Sequence, residues 1–271
     1  MTTEDFEYIR QLLRDRAAIV LEPGKEYLVE TRLTPLAHQH QLGSITEIVG
    51  RLRAGGDPAL LVRVVEAMVT TETSFFRDIT PFEGLRAGVL PDLIARRATQ
   101  RRLDIWCAAS STGQEPYSLA IMLRESFPQL AGWSVNILAT DLSTEVLNRA
   151  KEGRYNQLEV NRGLPATLMV KYFRQQGALW ELSEEVRRAV QFRQLNLTGP
   201  WPGLQRMDLV MMRNVMIYFD VETKKGILGR VARVLRPDGY LLLGAAETTL
   251  NLNDSFRRVE HRNAGFYQLV G

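Results

Sequence analysis

One cysteine, three histidines and no long apolar run are the scarcest features of this 271-residue sequence. A lone cysteine, Cys107, excludes an intrachain disulfide and fits a reducing compartment. It cannot build a metal cluster with His38, His40 and His261, and His38 and His40, two positions apart on an expected helix, do not share a face. No metal is expected. No apolar stretch approaches the roughly 20 residues of a membrane span, and the acidic start MTTEDFEYIR has no apolar signal core. A soluble, cytoplasmic protein is expected. Charge is nearly balanced, 34 basic against 31 acidic residues, with no basic tract to suggest nucleic acid or a membrane surface as partner. A three-glycine dinucleotide fingerprint is also missing, as are a Pro-Cys pair for cytosine C5 chemistry and an Asp/Asn-Pro-Pro-Tyr motif for exocyclic amines.

What is present is an apolar content of 45%, ample for a large core. From Thr3 to about Val69 the apolar spacing is helical, with Phe6, Ile9, Leu12 and Leu13, then Leu28, Leu33 and Leu36, then Leu60 to Val69, broken at Glu22-Pro23-Gly24 and at Ala54 to Pro58. This predicts a helical N-terminal domain over 1–70. Beyond it, short apolar runs at Leu103–Cys107, Val135–Ala139, Met207–Met212 and Tyr240–Leu243 alternate with helical segments at Tyr117–Ser126, Thr144–Glu152 and Val221–Leu235. The alternation predicts an α/β domain over 71–271 with a mostly parallel sheet. Phe256–Val259 and Gly265–Val270 predict an antiparallel end to it, and 155–192 reads as a small inserted subdomain.

The chemistry concentrates in WCAASSTGQEPYS, residues 106–118. After the first strand of such a sheet, the small residues Ala108 to Gly113 would let a ligand reach the backbone. Glu115 would repel phosphate, so the ligand should offer a cation or hydroxyls. Pro116 suits the first position of a helix. The next strand ends in Asp141, placed to accept from ribose hydroxyls. A phosphate-free, positively charged nucleoside describes S-adenosylmethionine. Taken singly, Glu115 reads equally well as a helix-dipole carboxylate and Asp141 as a cap for the helix near Ser143. Cys107 reads as a buried small residue.

With TETSFFRD (72 to 78 preceded by Thr71), the turn above, Ala139-Thr140-Asp141, Asn196-Leu197 and RNVMIYFD (213–220) in this order, the chain resembles the CheR-type chemotaxis receptor methyltransferases. The likeness extends to Arg162-Gly163-Leu164-Pro165, LRPDGY (235–240), Gly244 and Glu247, and so covers almost the whole chain. It implies a Rossmann-like S-adenosylmethionine-dependent methyltransferase domain with a small inserted antiparallel β subdomain, preceded by an all-helical domain. It further implies methyl transfer to glutamate side chains on the cytoplasmic helices of chemoreceptors, with S-adenosylhomocysteine as product. By position, the resemblance assigns Thr71, Thr73, Arg77, Glu115, Asp141, Asn196, Leu197, Arg213 and Asn214 to cofactor binding, and Arg77 and Tyr218 to the transferred methyl group. Two departures are Thr71, where the family commonly has Asn, and Gln114, where it usually has Glu.

A glutamate carboxylate is ionised near neutral pH, so it can attack a sulfonium methyl group with no general base. That suits a chain so poor in histidine. Arg77 is expected to orient the incoming carboxylate and Tyr218 to steer by hydrogen bonding. The alternative reading is a catalytically silent S-adenosylmethionine-binding module that regulates a signalling complex.

Overall fold

The computed structural model describes residues 1–271, and their contacts group into two units: Met1–Thr70 with Tyr218–Thr223, and Thr71–Ile217 with Lys224–Gly271. Residues 218–223, placed by the sequence pattern in the second domain, thus group with the first. No helix is long and apolar enough to cross a membrane.

The first unit is built on α1 (Thr3–Ala17), α2 (Glu26–Gln39), α3 (Ile45–Arg53) and α4 (Pro58–Met68). α1 starts with a reciprocal capping box between Thr2 and Asp5 and stops at Ala18 in the left-handed conformation. α4 starts at Asp57, whose carboxylate accepts from Leu60 N–H at 2.8 Å, with Pro58 preset for the first turn. Of the apolar stripes expected from the spacing, Phe6, Ile9, Leu13, Leu33 and Leu60 are buried, whereas Leu28 is half-buried and Val62 exposed. Arg32 crosses from α2 to the chain beyond α4, where it donates to the Thr70 hydroxyl at 3.0 Å.

The second unit carries two sheets. The larger contains β1 (Arg102–Ala108), β2 (Ser134–Asp141), β6 (Val190–Gln194), β7 (Met207–Met212), β8 (Leu235–Leu243), β9 (Phe256–His261) and β10 (Ala264–Leu269), in the order β6-β2-β1-β7-β8-β10-β9. The smaller is antiparallel, β3 (Arg154–Asn156), β5 (Leu179–Leu182) and β4 (Phe173–Gln176). The expected α/β architecture, its antiparallel end and its small inserted sheet are all observed. Strands β6, β2, β1, β7 and β8 run parallel; β10 pairs antiparallel with β8, and β9 antiparallel with β10. Ile105, Trp106, Cys107 and Leu209 to Met212 are fully or almost fully buried, which is why these central strands read as continuous apolar runs.

Three details differ from expectation. Residues 190–192 belong to β6, the outer parallel strand, rather than to the inserted segment; the alternation Val190, Phe192 was too short to signal a strand. β8 begins at Leu235, because between its pairs with Met207 and Leu209 it advances from Leu235 to Tyr240, and this irregularity absorbs Pro237 and Gly239. Pro116 is the third residue of the helix Gln114–Ser126, after the left-handed Gly113 at φ 92°.

The chain enters the sheet at β1, winds outward through β2 to β6, and then returns to β7 on the other side of β1. The strand order therefore reverses between β1 and β7, and ligands of such sheets bind outside the carboxyl ends at this reversal. The opposite ends are closed by an ion network. Arg97 donates to the fully buried Asp208 at 2.6 Å and to both oxygens of Asp238 at 2.8 and 2.6 Å, while Asp208 also accepts from Asp104 N–H at 2.8 Å. Burial works against ionisation of Asp104, yet hydrogen bonds from Arg102 and Asn136 hold its carboxyl below the usual range. The Arg97 guanidinium does the same for Asp238.

The inserted sheet is stitched to the segment that opens the second unit. Phe75 is fully buried and stands edge-on to Tyr155 and Phe173, with ring centroids 5.1 and 5.5 Å away. Arg162 pairs with Glu72 at 2.6 Å. Gly163 adopts φ 85°, and a methyl group on it would lie 2.0 Å from the Phe75 carbonyl oxygen, so only glycine fits.

Candidate active site

Three turns meet at the carboxyl ends of β1, β2 and β7. The turn after β1 places Ala109 and Ser111 at φ 53° and 49°, and Asn214 after β7 sits at φ 57°. Phe76 and Asp78, in the segment that precedes the sheet, also have positive φ. Five of the eleven non-glycine residues with positive φ thus lie in these segments, a concentration of backbone strain that marks functional turns.

Asp141 ends β2 with both carboxylate oxygens engaged by backbone donors: Oδ2 accepts from Ser111 N–H at 2.8 Å and Oδ1 from Ser143 N–H at 3.0 Å. The cap of the following helix is the Ser143 side chain, which accepts from Val146 N–H. Asp141 therefore ties two turns together. Ser111 completes the link, since its hydroxyl donates to the Thr71 carbonyl at 2.6 Å.

Glu115 is buried, and Arg213 Nη1 donates to its Oε2 at 2.7 Å. Burial pushes the Glu115 carboxyl up, and Arg213 opposes the rise without cancelling it. Arg213, with 1% of its side chain exposed, also donates through Nη2 to Asp78 Oδ2 and to the Arg77 carbonyl, both at 2.9 Å. One buried guanidinium thus joins the helix after β1 to the segment 71–78. Phe76 N–H donates to the Ser118 hydroxyl at 2.9 Å, a second pin on that segment. Arg77 itself is half-buried and donates to the Glu72 carbonyl at 3.1 Å.

Of the remaining expected residues, Thr71, Thr73, Asn196 and Leu197 belong to the same unit as the sheet. Thr71 is exposed and Thr73 half-buried. Asn196 follows β6, where its Oδ1 accepts from the N–H and the hydroxyl of Thr198 at 2.9 and 2.8 Å, and Leu197 is buried beside it. Tyr218 groups with the helical unit, where its carbonyl accepts from Val20 N–H at 2.9 Å. At Gln114 the departure from the family pattern is harmless, because the contact made is the amide oxygen accepting from Thr112 Oγ1 at 2.8 Å, a role that a glutamate oxygen would fill equally. Cys107 is fully buried, and burial together with Glu115 pushes its thiol well up, so it is an inert core residue.

Sequence reasoning assigned no role to Asp78, Ser111 or the carboxylate of Glu247. Glu247 Oε2 accepts from the N–H groups of Asn214 and Gly244 at 2.8 and 2.7 Å, and Oε1 from those of Val215 and Met216 at 2.8 and 2.7 Å. Its signals were a carboxylate shortly after an apolar strand and its place in the family resemblance, neither of which gave it a role. Beyond Gly244 and Glu247 opens a cleft of about 760 Å³, bordered among others by Asp78, Thr80, Thr248, Asn253 and Tyr267.

Comparison with known proteins decides the family. The sequence model for the CheR methyltransferase SAM binding domain matches residues 71–264, and that for the CheR methyltransferase all-alpha domain matches residues 4–69. The chain belongs to the CheR methyltransferase family. It is 43% identical over 263 residues to chemotaxis protein methyltransferase 1 of Pseudomonas aeruginosa, covering 94% of each chain. It is 39% identical over 269 residues to a chemotaxis protein methyltransferase of Pseudomonas putida, with 97% of each covered. A third such relative, from Vibrio parahaemolyticus, is 37% identical over 99% of this chain and 98% of its own.

The protein is therefore a methyltransferase, and S-adenosylmethionine is its methyl donor, leaving S-adenosylhomocysteine. The residues present fit that CheR cofactor. The turn carries small residues from Ala108 to Gly113, and within it the Ser110 hydroxyl is buried with no hydrogen-bond partner; Arg213 Nε in the ion cluster is likewise buried without one. The local charge is also suited to a cation: Glu115, Asp78 and Asp141 outnumber Arg213 among the buried and pinned groups.

Proposed function

We propose that this chain esterifies glutamate side chains on the cytoplasmic helices of chemoreceptors, in the cytoplasm, for sensory adaptation. The observation that carries the reading is the triple engagement of Arg213, which holds Glu115, Asp78 and the Arg77 carbonyl at 2.7 to 2.9 Å. A buried cation that locks two carboxylates and the Arg77 backbone prepares a fixed place for a cationic ligand and, next to it, a half-exposed guanidinium for an anionic acceptor. The relatives named as chemotaxis protein methyltransferases support the receptor as substrate.

In this reading Arg213 engages Oε2 of Glu115 and leaves Oε1 to accept from the ammonium group of the cofactor. Asp141, held by Ser111 and Ser143, accepts from the ribose hydroxyls. Thr71, Thr73, Asn196, Leu197 and Asn214 form the surrounding walls. S-adenosylmethionine supplies a methyl group on a sulfonium centre. Arg77 orients the acceptor carboxylate, which enters from the cleft beyond Gly244, and Tyr218 steers it by hydrogen bonding. No side chain has to remove a proton, because a glutamate acceptor is already an anion. Cys107 is buried and His261 is packed against Tyr240 and Phe266, so the second unit keeps its thiol and imidazole in the fold. Charge shrinks as anion and cation combine, so exclusion of water favours the step.

The test is transfer of labelled methyl to a purified chemoreceptor cytoplasmic fragment. Label released as methanol by mild alkali, and absent when the target glutamates are replaced by alanine, supports the proposal. Arg77→Ala and Tyr218→Phe variants that both turn over at the wild-type rate refute the assigned roles. Cofactor binding without transfer to any receptor of a panel refutes the enzyme reading of this substrate in favour of the silent module.

A further inference from the structure

We infer that Glu247 is a positioning residue for methyl transfer: its carboxylate sets the loop after β7 and through it the placement of Arg213 and Asn214 at the cofactor. The inference rests on the proposed role of those two residues as cofactor contacts.

Three observations lead to it. First, the N–H groups of three consecutive residues, Asn214, Val215 and Met216, converge on one side chain, at 2.8, 2.8 and 2.7 Å. Successive backbone donors aimed at one point form a concave anion site, and here the anion is supplied from within the chain. Second, the fourth donor is Gly244 N–H at 2.7 Å, at the end of β8, so one carboxylate joins the loops leaving two adjacent strands. Third, the fit is close. A methyl group on Gly244 would meet Glu247 Oε2 at 2.7 Å and the Asn214 side-chain and backbone nitrogens at 2.8 and 2.9 Å. Asn214 holds a left-handed φ of 57°, a conformation that needs support from its surroundings, and the clamp supplies it.

The consequence concerns function because Arg213 immediately precedes the clamped residues. Its side chain reaches Glu115, Asp78 and the Arg77 carbonyl, while the N–H groups of the next three residues reach Glu247. If the loop relaxes, the guanidinium that orients Glu115 moves with it. Glu247 also borders the cleft, so it lies between the cofactor wall and the proposed acceptor entrance.

Replacing Glu247 by Gln keeps the size but substitutes an NH2 for one oxygen, so two backbone donors face a donor. Gly244→Ala disturbs the same clamp from the other side. Calorimetric titration of each purified full-length variant with S-adenosylhomocysteine is expected to show a Kd at least tenfold above wild type, with an unchanged far-UV spectrum and a cooperative melt. A purely structural staple would lower Tm and leave the Kd of the folded protein alone. A Kd within twofold of wild type in whichever variant folds overturns the inference. Glu115→Gln and Asp141→Asn, titrated in parallel, separate the two levels. If these bind normally too, the proposed cofactor site is wrong. If they weaken while Glu247→Gln and Gly244→Ala do not, the site stands and the role of Glu247 falls.

Discussion

Replacing Gly163 by alanine should do far more damage than the same change at Gly177, although both glycines have positive φ, 85° and 62°. At Gly177 the added methyl group meets nothing within 4 Å, so the cost is that of a left-handed alanine, about 1–2 kcal/mol. At Gly163 the same backbone cost applies and the methyl group would also sit 2.0 Å from the Phe75 carbonyl oxygen and 3.1 Å from its carbon. Backbone atoms cannot rotate away as a side chain does, so the segment has to shift, at a further cost of about 1–3 kcal/mol. The total is about 2–5 kcal/mol against about 1–2 at Gly177. For a unit of this size each kcal/mol lowers Tm by about 2–4 °C. Thermal and urea melts of the two variants measure the difference directly. Phe75 neighbours Phe76 and Arg77, whose backbones are pinned by Ser118 and Arg213, so Gly163→Ala should also weaken S-adenosylhomocysteine binding, whereas Gly177→Ala should not. Equal destabilisation at the two glycines would refute the reasoning.

Three other outcomes are expected. Affinity for S-adenosylhomocysteine should fall on acidification, beginning above the pH at which an ordinary glutamate titrates: burial raises the Glu115 pKa, and in the proposed site protonation removes the charge that attracts the cofactor ammonium group. Calorimetry across pH, with Glu115→Gln as the flat control, checks this. Asp208→Ala leaves Arg97 and Arg236 short of a partner in the buried network and should cost about 3–5 kcal/mol in urea melts, with normal cofactor affinity in the folded protein because the network closes the opposite end of the strands. In the same network Asp104 and Asp238 have depressed pKa values, so their stabilisation is present above the unfolded carboxylate pKa and is lost as pH falls through the folded values. Tyr155→Phe removes a fully buried hydrogen bond from its hydroxyl to the Thr112 carbonyl at 2.8 Å and should cost about 1 kcal/mol by melting, while loosening the cofactor turn enough to raise the S-adenosylhomocysteine Kd.

The parts of the fold legible in the sequence were those whose signal is local. β7 matches its apolar run and the helix Thr144–Glu152 its periodicity, because buried parallel strands and amphipathic helices each write a pattern over consecutive residues. β6 wrote none: five residues with two polar ones exposed give an outer strand no distinctive alternation. In the same way Glu115 and Asp141 could be picked out as candidates from their places after successive strands, while the pairing of Glu115 with Arg213 could not, since 98 residues separate them.

That separation bears on how the site is maintained. Glu115 is held by Arg213, Arg213 shares itself with Asp78 and the Arg77 carbonyl, and the residues after Arg213 are gathered by Glu247. Asp141 is held by Ser111, which in turn holds the Thr71 carbonyl. Glu115 and Asp141, the two carboxylates proposed to face the cofactor, are thus each held by a partner from another turn, and the segment 71–78 is touched by both chains of contacts. A rigid arrangement of this kind suits the proposed methyl transfer between two charged partners, because positioning can lower a barrier by about 7–11 kcal/mol. It follows that substitutions along 71–78 should impair cofactor binding and turnover together, even where the substituted side chain meets neither the cofactor nor the acceptor.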